Sequence, residues 1–175
     1  LTNNQLNAQN VTIPDANFVT FLTGLYPQCM NGNQMDTTCP AIMSEDYIDL
    51  WHQNLHDITG IQYFDSLRIL RCNGNYLTFL PPLQQSIREL WCNSNQLTSI
   101  PSLPDSLTIF YPVANQLTSL PTLPNTITYI DCGSNLLTSL PALPTSLTRL
   151  NCNNNPQLTS LPPLPPSLNW LECYE

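Results

Sequence analysis

The sequence predicts an α/β repeat solenoid: a horseshoe with short parallel strands on its concave face, an extended, polyproline-like convex side and a small helical N-terminal cap. Three observations predict it. An Asn recurs with a period of 20, at Asn75, Asn95, Asn115, Asn135 and Asn155, and one extra residue enters the last unit near Pro156. Apolar columns keep step with it, with Leu77, Leu97, Leu117, Leu137 and Leu158 in one and Leu80, Ile100, Leu120, Leu140 and Leu161 in another. A Cys column holds Cys72, Cys92, Cys132, Cys152 and Cys173 and is broken only by Pro112.

Written out, the unit is L-x-x-L-x-C-x-x-N-x-L-T-S-L-P-x-L-P-x-S, which matches the leucine-rich repeat signature over consecutive units. A leucine-rich repeat horseshoe forming one structural domain is therefore expected, with a cap at residues 1–46 and repeats at 47–175. In the cap, Phe18, Phe21, Leu22 and Leu25 fall at helical spacing, Asp15 lies near the first turn, and Pro27 ends the pattern. A polar loop with Cys29 and Cys39 follows, then a second short helix over residues 41–47. Residues 48–58 align as a degenerate first repeat with Gln53 in the Asn position, and about six units of 20–22 residues follow, the last incomplete.

Each strand places alternate residues inward, so that Leu70 and Cys72 enter the core while Arg71 faces out. The recurring Asn can bond backbone groups of its own turn and its neighbours, forming a ladder. The Leu-Pro-x-Leu-Pro stretches cannot be helical, because each Pro lacks an N–H and holds the residue before it extended. Pro112 stands at an inward strand position, which predicts a lost rung bond or a small bulge between Phe110 and Val113. One unit cannot bury its apolar face alone, so both ends need covering. The strand with Trp170 and Glu172 reads as an open edge, and more chain is expected after it. The first residue is Leu1, and any targeting segment is expected to lie outside this sequence.

Composition narrows the function. With 9% charged and 42% hydrophobic residues and 17 Pro among 175, the chain is expected to fold, and it is neither collagen-like nor disordered in composition. No apolar run approaches the roughly 18 residues of a membrane-spanning helix, so membrane insertion is not expected. Four basic residues, all Arg, stand against 12 acidic ones, and no Lys is present to build a phosphate-gripping patch. Nucleic acid and anionic membranes are not expected partners.

The block from Leu140 to Leu147, Leu-Pro-Ala-Leu-Pro-Thr-Ser-Leu, resembles the short leucine-rich repeats of bacterial type III effectors. Cysteine within the strand, as in Leu150-Asn151-Cys152-Asn153-Asn154-Asn155, is more similar to repeat proteins exported by Bacteroidetes. The leading Ile13-Pro14-Asp15-Ala16-Asn17-Phe18 and the stretch from Leu55 to Phe64 resemble the N-terminal cap of that second group. The exported-family resemblance implies a secreted or cell-surface binding module. Nothing in the chain resembles the effectors' catalytic ubiquitin-ligase domain.

Cys29 and Cys39 lie outside the repeats, where a disulfide would staple a segment with little core of its own. A reduced pair and half of a metal site are the alternatives, although no His or second Cys pair sits at zinc spacing nearby. Strands are spaced at about 4.8 Å, whereas a disulfide brings Cβ atoms to about 3.8 Å, so the ladder cysteines are expected as free, buried thiols. The loop residues Asn31, Asn33 and Asp36 alternate as calcium ligands do, without the closing Glu of such a loop. No metal and no cofactor is expected.

The outward strand positions form three columns. All three Trp and four of the seven Tyr fall on them. Tyr47, Trp51, Arg71, Trp91, Tyr111, Tyr129, Asp131, Arg149, Trp170 and Glu172 are the expected ligand-binding residues, because exposed aromatics mixed with Arg and acids mark protein-binding hot spots. Aromatics also stiffen a sheet surface, which is the plain alternative. The expected function is non-catalytic binding of a protein partner, with adhesion as its context. The alternatives are a carbohydrate-binding module and the targeting part of a host-directed effector. Asp131 and Glu172 sit two strands apart, about 10 Å, on an open sheet, so no hydrolase is expected.

Overall fold

The computed structural model describes residues 9–174. The cap opens with β1 (Asn10–Thr12), then helix α1 (Ala16–Leu25), and strands β2 (Met30–Asn31) and β3 (Gln34–Asp36). β1, β3 and β2 form a small antiparallel sheet in that order. Asp15 caps α1: its Oδ1 accepts from the N–H groups of Asn17 and Phe18 at 2.8 and 3.0 Å. The helix buries Phe18 and Leu22 and leaves Leu25 in solvent. Pro27 then opens a 3₁₀ turn to Cys29, and Cys29 is bonded to Cys39 with Cα atoms 5.6 Å apart.

Helix α2 spans only Pro40–Met43, so the second short helix is smaller than the sequence suggests and ends before residue 47. Its Pro sits at the first helical position, where no N–H is needed. Further growth is stopped by sheet pairing: Asp46 O accepts from the N–H groups of Arg68 and Ile69 at 2.8 and 3.1 Å. Tyr47 therefore opens strand β4 (Tyr47–Asp49).

From β4 a regular solenoid begins. Strands β5 (Ile69–Arg71), β6 (Glu89–Trp91), β7 (Ile109–Tyr111), β8 (Tyr129–Asp131), β9 (Arg149–Asn151) and β10 (Trp170–Glu172) follow in chain order. With β4 they form a seven-stranded parallel sheet in sequential order. The register is the repeat itself, Ile48↔Leu70↔Leu90↔Phe110↔Ile130↔Leu150, and these inward side chains are buried. Each such side chain is worth roughly 1.5–3 kcal/mol relative to leaving it in water.

The ladder Asn residues hold the turns together. Asn95 accepts from Leu77 N–H at 3.0 Å and donates to the carbonyls of Cys72 and Cys92 at 3.0 and 3.1 Å. Asn75, Asn115, Asn135 and Asn155 repeat the pattern. Gln53 occupies that position in the first turn but stays exposed and reaches only Trp51 O, at 3.0 Å. The cap meets the first turn instead, through Asn17 Nδ2 to Asn54 O at 2.9 Å and His56 N–H to Asp15 Oδ2 at 2.7 Å.

The first turn, which has no Pro, carries a 3₁₀ helix at Ile61–Tyr63; from β5 on, the Pro-rich convex side carries no regular elements among the described residues, and hydroxyls take over where proline removes N–H donors. Ser106 Oγ donates to Gln85 O or Ile87 O, each 2.6 Å away, and Thr126 occupies the matching place one turn on. A second file runs Thr108 to Arg88 O, Thr128 to Thr108 O and Thr148 to Thr128 O, at 2.9, 3.2 and 2.9 Å. Pro112 removes one rung: β7 pairs with β8 at only two residues, where the neighbouring strand pairs have three. The register is kept, since Ala114 N–H bonds Gly133 O at 3.0 Å. The rung is lost without a bulge.

Candidate functional site on the concave face

The outward positions of β4 to β10 share one surface, and register fixes which side chains become neighbours. Asp49, Arg71, Trp91 and Tyr111 follow one another across adjacent strands. The Arg71 guanidinium lies 5.7 Å from the Tyr47 ring centroid and 5.3 Å from that of Trp91. Trp91 stacks on Tyr111 at 4.8 Å and 24°, and Tyr111 meets Tyr129 edge-on at 5.8 Å. Five of the expected residues thus form one continuous spine of rings and a cation. It is braced from below: Trp91 Nε1 donates to Glu89 Oε2 at 3.0 Å and Tyr47 Oη to Asp49 Oδ2 at 3.0 Å. Arg71 Nε is buried and has no hydrogen-bond partner.

Asp131 closes the spine, but it is only 5% exposed, less open than an outward column position suggests. Its Oδ1 accepts from Gly133 N–H and its Oδ2 from Asn151 Nδ2, each at 3.2 Å, and the same bond to the second residue on is made by Asp49 to Trp51 N–H and by Asn151 to Asn153 N–H. Burial pushes the Asp131 carboxyl above the ordinary carboxylate range, although Gly133 N–H, Tyr111, Asn151 and Tyr129 favour its charged form. Burial, aided by the Asp131 charge, likewise pushes the Tyr111 phenol up.

The remaining expected residues flank the spine. Trp51, 58% exposed, leans on His52 at 4.9 Å. Arg149 and Trp170 join Tyr129 and Asn169 around a cavity of about 400 Å³ near the end of the sheet. Glu172 is approached by Asn153 Nδ2 at 3.5 Å. The side chain of Asn153, buried with Oδ1 unpaired, went unnoticed in the sequence because its column otherwise holds residues as different as Trp51, Val113 and Gly133. Among the ladder thiols, burial pushes Cys72 up to about 12 and Cys152 up to about 11, which makes both poor nucleophiles. Cys173 differs from the expectation in being exposed, since no turn covers it in the described residues. In the cap loop, Asp36 Oδ1 is engaged by Thr38 N and Oγ1, at 2.9 and 2.7 Å. No group of three or more His, Cys, Asp or Glu suited to a metal occurs among the described residues.

The parallel sheet, the Asn ladder and the helical cap define a leucine-rich repeat solenoid. Its solved neighbours are bacterial proteins of that fold. The functional domain of InlJ from Listeria monocytogenes, described as including a cysteine ladder, matches 95% of this chain with a TM-score of 0.80 and 26% identity. The leucine-rich repeat domain of a Shigella effector matches 71% with a TM-score of 0.61 and 31% identity, and YopM from Yersinia enterocolitica matches 63% with 0.53 and 32%. The match covers 38%, 57% and 30% of those three chains, in that order. No protein-family profile and no curated sequence matches. The likeness supports reading this chain as a protein-interaction module.

Proposed function

We propose that this chain is a non-catalytic protein-recognition module of an exported bacterial protein, secreted or held at the cell surface, and that it takes a protein ligand on its concave face in adhesion. The spine Tyr47–Arg71–Trp91–Tyr111–Tyr129 carries the reading. Repeat packing does not require rings there, because the core is already filled by the inward column. Prearranged aromatics flanking an arginine are the residue types that supply most binding energy in protein interfaces. The Cys29–Cys39 bond supports export, since such bonds persist in oxidising compartments. The likeness to a Shigella effector domain favours a second reading, the targeting part of a host-directed effector.

The test is affinity for the protein captured by cross-linking the intact chain on cell surfaces. The Trp91→Ala/Tyr111→Ala variant is expected to lose about 100-fold in Kd, the loss of roughly 2.7 kcal/mol that two hot-spot residues provide. Its circular dichroism should be unchanged, because both side chains lie outside the core. Undiminished affinity would remove the concave face from the reading. Capture of glycans from an array, with no protein ligand, would replace protein by sugar.

A further inference from the structure

We infer that the junction of the cap helix with the first strand is a separate binding site, a pocket for the side chain of a lysine or arginine presented by the protein partner. This inference rests on the protein-recognition reading and extends it beyond the repeats.

The pocket, about 380 Å³, lies between α1 and β4 and is lined by Phe21, Leu25, Tyr26, Glu45, Tyr47, Ile48 and Asp49. Its walls are apolar. Leu25 is 57% exposed and Tyr47 42%, so two large side chains stand in water at its mouth. Two carboxylates share the pocket with them. Glu45 Oε2 accepts from Tyr26 Oη at 2.8 Å and Asp49 Oδ2 from Tyr47 Oη at 3.0 Å, and both phenols are neutral donors. These bonds, with Tyr47 N–H to Glu45 Oε1 at 3.4 Å and Trp51 N–H to Asp49 Oδ1 at 3.0 Å, orient the acids; the nearest cation is Arg71, paired with Asp49 in register and 5.7 Å from the Tyr47 ring centroid. Each carboxylate oxygen keeps a further lone pair for an N–H.

An apolar slot with two aligned carboxylates suits a long aliphatic stem that ends in a cation. The stem of Lys or Arg lies along apolar walls while its head stays at a polar rim. The field of the whole molecule points the same way, since a net charge of −8 draws cations toward it. Nucleic acid and anionic lipid are repelled by that same charge, which leaves a basic protein segment as the occupant. Tyr47 belongs both to the pocket and to the concave spine, so one ligand can span the two.

The test uses the full chain and two short peptides, Ac-Gly-Lys-Gly-NH2 and its norleucine counterpart, followed through the methyl resonances of Leu25 and Ile48. The lysine peptide is expected to shift both and saturate in the millimolar range, and the norleucine peptide to bind about 5-fold more weakly, as for the loss of one partly screened ionic contact. The Glu45→Gln/Asp49→Asn variant should remove the difference between the peptides while its thermal unfolding stays cooperative. Leu25→Ser should weaken both peptides. Equal shifts from both peptides with the wild-type chain, or none, overturn the cation pocket. Loss of the lysine-peptide shifts in Trp91→Ala/Tyr111→Ala would place the peptide on the spine and overturn it too. Partner binding that disappears in that spine variant yet survives Glu45→Gln/Asp49→Asn and Leu25→Ser sinks the pocket alone and leaves the concave-face reading standing.

Discussion

At the scale of the residue, the position before each ladder Asn is left-handed, with φ of 68° at Gly74, 55° at Ser94, 54° at Ala114, 54° at Ser134 and 52° at Asn154. Only glycine takes this conformation freely. Ala114→Gly is therefore expected to raise stability in urea by up to about 1 kcal/mol, less the entropy that glycine adds to the unfolded chain. Gly74→Ala should destabilise, because a side chain is unfavourable at its φ of 68°; the Cβ would also lie 2.7 Å from His52 Cε1, an exposed ring that would have to swing aside. Asp15 makes a second case. Burial tends to raise its pKa, yet the backbone N–H groups of His56, Phe18, Asp57 and Asn17 outweigh that and hold it below the ordinary value. A depressed carboxyl stabilises the fold above its unfolded-state pKa, and the contribution is lost as pH falls through the folded value. Asp15→Ala is expected to cost about 1–2 kcal/mol at neutral pH, and urea midpoints of variant and wild type should converge as pH falls below the ordinary Asp value of 3.8. The sequence placed Asp15 at the helix start, but its bonds to His56 and Asp57 span some forty residues, and no local pattern carries that information.

At the scale of the element, a turn is held by side chains more than by its three-residue strand. Asn115 satisfies Leu97 N–H and the carbonyls of Cys92 and Pro112 at 3.0, 3.1 and 3.1 Å, all within the core. Asn115→Ala strands these buried groups, and a loss of about 2–4 kcal/mol is expected from guanidinium unfolding. Much of this was legible, because a period of 20 makes every inward and outward column readable once one is aligned. The hydroxyl files were less so. One position holds Ser in most turns and Thr at Thr126, and only the geometry shows that either oxygen, as in Ser106 and Thr126, reaches the equivalent carbonyl of the turn before. Irregular segments gave the poorest reading: the second helix came out short because pairing of Asp46 with the next turn competes for the same backbone.

At the scale of the whole molecule, cysteine chemistry separates the cap, the ladder and the end of the sheet. Cys72, Cys92, Cys132 and Cys152 are buried, Cys173 is exposed, and Cys29 is bonded to Cys39. Native alkylation followed by mass spectrometry is expected to label Cys173 first and the four buried thiols only on unfolding. Seven reactive thiols in the unreduced, denatured chain would favour the effector reading over export. The concave columns were legible as a surface, whereas their grouping was not: ring contacts join Trp91, Tyr111 and Tyr129, and Asp131 is bonded to Gly133 N–H and Asn151 Nδ2. The pocket between the cap and the first strand left no trace in the repeat pattern, since Phe21, Leu25 and Glu45 belong to no column.

The Asn, Ser and Thr staples each reach back to the turn before their own, as Asn95 does to Cys72 O, Ser106 to Gln85 O and Thr128 to Thr108 O. A block such as residues 96–115 therefore brings its own fasteners to whatever similar block precedes it. Copy number thereby becomes a free variable of the architecture: a block can be added or removed without redesigning any joint, and each added block brings its own set of outward positions.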